Sequence, residues 1–169
     1  MAQVSISQNV TDQDATPIAK VNVQKKGGEV RTAQGIILAA NMTGGTTGQW
    51  YTFVRVPARA RVLGVYLTNA TSTTGAVKAG LYRPGAAGIA ISDAVFSTVT
   101  VLGQANNRAN IETVRTPAQR KDTLATAFAT AVSTAGATGD MEYDIALAIV
   151  TVIGTPVDVL LEVDYVLPE

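Results

Sequence analysis

From Glu29 onward the chain runs in short apolar stretches rich in Val, Ile, Leu, Thr and Tyr, separated by Gly, Asn, Ser and Pro. Brief strands joined by turn residues are the mark of a β-sandwich or barrel. The pattern predicts strands near 34–40, 49–56, 61–69, 76–83, 93–101 and 109–115, then two more near 141–153 and 156–167. The last two alternate most clearly. Met141, Tyr143, Ile145, Leu147, Ile149 and Ile153 are odd and apolar, with Glu142, Asp144, Ala146 and Ala148 between them. Val157, Val159, Leu161, Val163, Tyr165 and Leu167 are odd again, with Asp158, Glu162 and Asp164 between them. Successive strand side chains point to opposite faces, so odd positions are expected in the core and even ones in water. Paired as a hairpin, these strands need a three-residue loop, Gly154-Thr155-Pro156, opposing Ile153 to Val157; a two-residue loop would set carboxylates beside the core.

One segment carries helix chemistry instead. Thr116 is an N-cap, Pro117 sits at the first helical position and Gln119 follows three residues after the cap, which predicts a helix over 117–132. Leu124, Phe128, Ala131 and Val132 recur on one face to cover the core, and Gly136 supplies the stop. Residues 1–28 are polar, lack a sustained period and end in Gln24-Lys25-Lys26-Gly27-Gly28. They read as an arm or linker. The expected organisation is an arm, 1–28, and one domain, 29–169, of all-β class: a jelly-roll-like antiparallel β-sandwich with one short helix.

Composition narrows the chemistry. Among 169 residues there is no His and no Cys, which removes Ser-His-Asp and Cys-His nucleophiles, zinc sites built on thiolate or imidazole, and imidazole pH switches. No cofactor or metal is expected, and no enzyme. Thirteen basic residues balance 13 acidic ones, against the cationic excess of a general nucleic-acid or anionic-membrane binder. Neither a cationic, apolar-cored signal peptide nor a membrane-length apolar run occurs.

The balanced charge is unevenly placed. Residues 30–83 hold six bases and no acid, whereas 121–169 hold one base and eight acids. Two readings stay open: the segments neutralise each other within one molecule, or an acidic face on one subunit meets a basic face on another. The candidate partner-binding residues are Lys25, Lys26, Arg55, Arg59 and Arg61 on the basic side and Asp144, Asp158, Glu162 and Asp164 on the acidic side. Asp140, Glu142 and Asp144 alternate about 7 Å apart on one strand face, too spread for a calcium cage, and read as solvated. Gly44-Gly45-Thr46-Thr47-Gly48 lacks the Lys-Ser/Thr of a phosphate loop and reads as a turn. Trp50, Tyr51 and Phe53 near the arginines suit base or sugar stacking, or equally a core-facing strand.

Several stretches together resemble tailed-phage virion proteins: Trp50-Tyr51-Thr52-Phe53-Val54-Arg55-Val56-Pro57, Arg61-Val62-Leu63-Gly64-Val65, Ala79-Gly80-Leu81-Tyr82 and Asp93-Ala94-Val95-Phe96. The Pro117 helix, Tyr143-Asp144-Ile145 and Leu161-Glu162-Val163-Asp164-Tyr165-Val166 continue the resemblance, which covers roughly 50–166; the Ala- and Thr-rich 117–132 segment departs from it most. It implies a jelly-roll-like cement or decoration protein on the outside of an icosahedral head. Such a protein ties neighbouring major capsid protein subunits together. A homo-oligomer, dimer or trimer, is expected because charges of opposite sign lie on separate segments and a single sandwich leaves strand edges to cover. The alternatives are another virion part, such as a head-fibre base or tail component, and a carbohydrate-binding sandwich.

Overall fold

The computed structural model describes residues 3–6, the backbone alone, and 30–42, 46–85, 89–103, 105–137 and 141–167. Among the described residues nine strands carry the fold: β1 (Gln3–Ile6), β2 (Arg31–Ile37), β3 (Trp50–Pro57), β4 (Arg61–Asn69), β5 (Ala76–Tyr82), β6 (Ala90–Val101), β7 (Asn106–Asn110), β8 (Glu142–Thr151) and β9 (Val159–Val166). They form two sheets. Sheet A has the order β1-β3-β8-β5-β6 and sheet B the order β2-β9-β4-β7. From β2 onward the chain changes sheet at every connection except β5 to β6, which is the jelly-roll way of wrapping antiparallel strands into two packed layers. Phe53, Leu81, Phe96 and Ile145 from sheet A meet Leu67 and Leu161 from sheet B in the shared core.

The expected closing hairpin does not form. β8 lies in sheet A between β3 and β5, and β9 lies in sheet B between β2 and β4. Residues 152–158 therefore cross from one layer to the other. Gly154 N donates to Thr74 O (2.9 Å), and the Thr73 hydroxyl both donates to Thr155 O (2.6 Å) and accepts from Thr155 N (3.1 Å). Ile153 and Val157 are buried at this corner as expected, but they do not pair across a turn. Alternation reports which residues point inward, and two strands that stack face to face show the same alternation as two that lie side by side.

The helical segment is also divided. Its start is as expected, with Thr116 Oγ1 accepting from Gln119 N and the Gln119 side chain accepting from Thr116 N in a capping box. The chain then breaks into α1 (Pro117–Lys121), α2 (Leu124–Ala127) and α3 (Ala129–Thr134). Asp122 is extended, and Thr123 caps afresh by accepting from Thr126 N. A second strong N-cap inside the segment competes with helix continuation. Leu124 and Val132 are buried with Phe128 and Ala131 packed against the core. Gly136, at φ 64°, ends α3, with Gly136 N donating to Ser133 O and Ala137 N to Val132 O.

Two further expectations are corrected. Residues 3–6, placed in an unpacked arm, form β1, which adds to β3 as a parallel strand; the rest of 1–28 lies outside the described residues. On β8 most even positions are not wet: Glu142 is exposed, but Asp144, Ala146 and Ala148 are buried.

Candidate interaction surfaces

Sheet A has a second small core on its outer face. Trp50 on β3 and Tyr82 on β5 stack with ring centroids 5.0 Å apart, against Ala146 and Ala148 of the strand between them. Alanine at these even positions leaves room for the rings. Gly80 serves the same economy, since a Cβ there would lie 2.5 Å from Asp93 Cα. Burial, then the charge of Asp93, raise the Tyr82 pKa well above the ordinary tyrosine value. Beside this stack Arg55 pairs with its register partner Asp144: Nε donates to Oδ1 at 2.7 Å and Nη2 to Oδ2 at 3.2 Å. Their side chains are 6% and 5% exposed. Two residues nominated for a partner thus neutralise each other inside the molecule.

The outer face of sheet B holds similar groups, with the arginine open to solvent: the Arg108 side chain is 49% exposed, those of Glu162 and Asp164 12% and 16%. Cross-strand register sets Gln34, Glu162 and Tyr66 in one row and Thr32, Asp164 and Gly64 in the next. Gln34 Nε2 donates to Glu162 Oε1 (2.7 Å) and Thr32 Oγ1 to Asp164 Oδ1 (2.6 Å). A Cβ on Gly64 would stand 2.7 Å from Tyr66 Oη, so the missing side chain lets the ring lie back over the strand. Arg108 stacks on that ring at 4.0 Å and reaches Glu162 Oε2 (3.3 Å) and Asp164 Oδ2 (3.1 Å). Desolvation lowers the Arg108 pKa, but Glu162, then the hydrogen bond and charge of Asp164, raise it further, leaving it above its ordinary value. Its backbone is left-handed, φ 50°, with N donating to Thr68 Oγ1 at 2.9 Å where the β4–β7 register slips. Tyr66 and Arg108 had no sequence signal: Arg108 falls just before the strand predicted at 109–115, and its reach depends on the slip.

The β3–β4 turn presents Arg59. Ala58 and Ala60 on either side are buried, and the turn is tied down by Ala58 N to Met141 O, Leu124 N to Ala60 O and Ala125 N to Ala58 O. Arg59 is exposed, whereas Arg61 is half-buried and its Nε has no hydrogen-bond partner. Asp158 is exposed, and its Oδ1 caps the 3-10 turn Ala39–Asn41 by accepting from Ala39 N at 2.7 Å. Lys25, Lys26, Asp140 and Gly44-Gly45 lie outside the described residues. The arginines of this region therefore part company: Arg55 is covered and paired with Asp144, and Arg59 is exposed.

A third ionic group was also missed. Residues 111–115, expected to extend a strand, leave the sheet after Asn110. There Glu112 and Arg115, both with fully buried side chains, pair at 2.8 Å, and Arg120 Nε approaches Glu112 Oε1 at 3.1 Å. Arg115 also donates to Val62 O (2.8 Å) and lies over the Phe96 ring at 5.2 Å, pinning the segment before α1 to the sandwich.

The aromatic residues that would stack bases or sugars do not present themselves: Trp50, Tyr51 and Phe53 are all buried. Among the described residues no three carboxylates gather as a metal site, and no helix is long and apolar enough to cross a membrane. What remains is a rigid all-β jelly-roll with charged turns and faces. Its fold is similar to that of a chain in the capsid of Ralstonia phage GP4, with a TM-score of 0.63 and 13% identity over 99% of this chain and 99% of that one. A chain of the cyanophage Pam1 capsid asymmetric unit aligns over 89% of this chain and 94% of that one, at 19% identity and a TM-score of 0.48. No family model and no curated protein matches the sequence. The sequence's resemblance to phage virion proteins thus has a counterpart in a shared capsid-chain fold.

Proposed function

We propose that this chain is a non-catalytic virion protein that binds the outside of an icosahedral phage head, as a dimer or trimer, and cements neighbouring major capsid protein subunits. The observation that carries the reading is the end-to-end likeness to a chain of a phage capsid, 99% of each chain at a TM-score of 0.63. The geometry supports it. A sandwich whose ionic groups at Arg55 and Glu112 are consumed internally offers contact through its turns and its extension. Arg59, exposed on a turn anchored at both neighbours, suits bidentate recognition of a carboxylate, with Arg61 beside it. The polar stretch between β1 and Gly28 serves as a strap, because by its composition it has no core of its own and would gain order mainly by lying on a partner. Attachment is cumulative. Weak contacts repeated by an oligomer over a lattice give strong retention without one tight interface.

The test is add-back to stripped heads. Wild type, a deletion of residues 2–26, and Arg59→Ala with Arg61→Ala are compared across a salt series by occupancy on sedimented particles. Wild type should bind, with both variants reduced and the arginine-dependent part fading as salt rises. Equal occupancy of all three would sink the assignment of contacts, and no binding by wild type would sink the reading itself.

A further inference from the structure

The Glu112 cluster holds more positive charge than its carboxylate neutralises. Arg115 engages that carboxylate with two nitrogens, Nε to Oε1 at 2.9 Å and Nη2 to Oε2 at 2.8 Å, and both side chains are fully buried. That pair is neutral by itself. Arg120 brings a second guanidinium to the same group, with Nε 3.1 Å from Oε1, and its side chain is 43% exposed. Buried ions give up hydration that only complete pairing offsets, and here Arg115 Nη1 and Glu112 Oε2 are buried without a hydrogen-bond partner. Stability is a weak reason for such a cluster. Its clearer consequence is position: Arg120 Nε also donates to Arg115 O (3.4 Å) and Nη2 to Glu112 O (3.3 Å), which holds a long side chain at the surface with its planar head in one orientation.

The fold brings further cations to the same end of the sandwich. α1 and α2 lie along the start of β4 and the β3–β4 turn, with Arg115 tied to Val62 O, Leu124 N to Ala60 O and Ala125 N to Ala58 O. Arg59 and Arg61 flank this junction on one side, Arg120 and Lys121 on the other; Arg59 and Lys121 are exposed and Arg61 is half-buried. Among the described residues the exposed acids here are Asp122 and Glu142, the latter the register partner of Pro57. Four cations against two acids leave a surplus of two at one end of a chain whose net charge is zero. We propose that this end, with Arg120 as its fixed point, is a docking surface for a protein partner that presents carboxylates. An arginine already held in place matches the two oxygens of a carboxylate and loses little side-chain entropy on contact. Nucleic acid suits the surface less. Asp122 and Glu142 interrupt the cations and would repel a continuous phosphate backbone, and Trp50, Tyr51 and Phe53 are buried, out of reach of a base. That the partner is a capsid subunit rests on the capsid reading; the surface itself does not.

The test compares wild type with Arg120→Ala, Arg120→Lys and Lys121→Ala, each checked for native circular dichroism and melting. On stripped heads, Arg120→Ala should raise the half-saturating concentration about tenfold, as loss of an interfacial arginine does, and should flatten the dependence of binding on salt. A purely structural role for Arg120 would leave that salt slope unchanged. Arg120→Lys should fall between, since it keeps the charge and loses the fork, and Lys121→Ala should have the smaller effect. In solution, a labelled poly-glutamate peptide should bind wild type at low salt and bind Arg120→Ala more weakly. Equal binding by wild type and Arg120→Ala with equal salt slopes, or a preference for a single-stranded oligonucleotide of the same charge, overturns the proposal. Heads bound alike by both chains would remove the surface and leave the capsid reading standing. Arg120-dependent binding of the peptide without any binding of wild type to heads would do the reverse.

Discussion

The two outer faces of the sandwich carry an arginine, a carboxylate and an aromatic ring each, and use them to opposite ends. On sheet A, Arg55 and Asp144 are sealed beside the Trp50–Tyr82 stack. On sheet B, Arg108 lies over Tyr66 with its side chain 49% exposed and forks to two acids. Burial decides what each pair is worth. A sealed pair has already lost its hydration, so removing one partner strands a charge, whereas water and salt replace much of an exposed partner. The sealed face is a structural seam; the wet face keeps its arginine, though not its two acids, open to solvent.

Asp144→Ala is the strongest way to break this contrast. It should destabilise the fold by about 3–5 kcal/mol by leaving the Arg55 guanidinium without its counter-charge, read as a shift in denaturant midpoint. A loss below about 1 kcal/mol would mean that the sheet A face is as wet as the other.

The two glycines sharpen the comparison. Gly80→Ala drives a methyl into the Asp93 backbone, at 2.5 Å from Cα, so β5 and β6 must part; a loss of about 1–3 kcal/mol is expected. Gly64→Ala meets only the far end of the Tyr66 ring, 2.7 Å from Oη, which can swing away. Its cost should be the smaller by thermal melting, and an equal cost would show that the Tyr66 ring is as fixed as backbone.

Tyrosine titration separates the faces next. Burial, then Asp93, raise the Tyr82 pKa, and burial raises those of Tyr51 and Tyr143. Ionisation is thus harder in the fold than in the unfolded chain. Their contribution is intact below about pH 10, the ordinary tyrosine value, and is lost as pH rises above it. Denaturant midpoints should fall between pH 10 and 12 on this ground, and Tyr82→Phe should flatten the fall; an unaltered slope would place Tyr82 in water. The smallest effect is expected for Arg108→Ala, whose midpoint at physiological salt should stay within scatter of wild type. A large loss there would make the wet face structural as well.

Much of this contrast was illegible in advance for one reason. The odd-position alternation of 141–167 located inward residues such as Leu147 and Leu161, both fully buried. It was silent on what lay over the even positions. Ala146 and Ala148 read as a wet face until Trp50 and Tyr82, distant in sequence, were folded across them. Glu162 and Asp164 on the neighbouring sheet look alike in sequence, and there it is an exposed arginine, Arg108, that lies over them.

By itself the sequence determined the local grammar of this protein: the all-β class, most strand positions, the Thr116 start and the Gly136 stop, and the absence of thiol and imidazole chemistry. These follow from side-chain period, capping and composition, which act over a few residues. Tertiary structure alone decided that β8 and β9 part into different sheets, that Arg55 meets Asp144 across 89 residues, and that Arg108 reaches past β4 to the acids of β9. Those outcomes depend on which strands become neighbours, a choice made by the packing of whole layers, to which a two-residue alternation is blind.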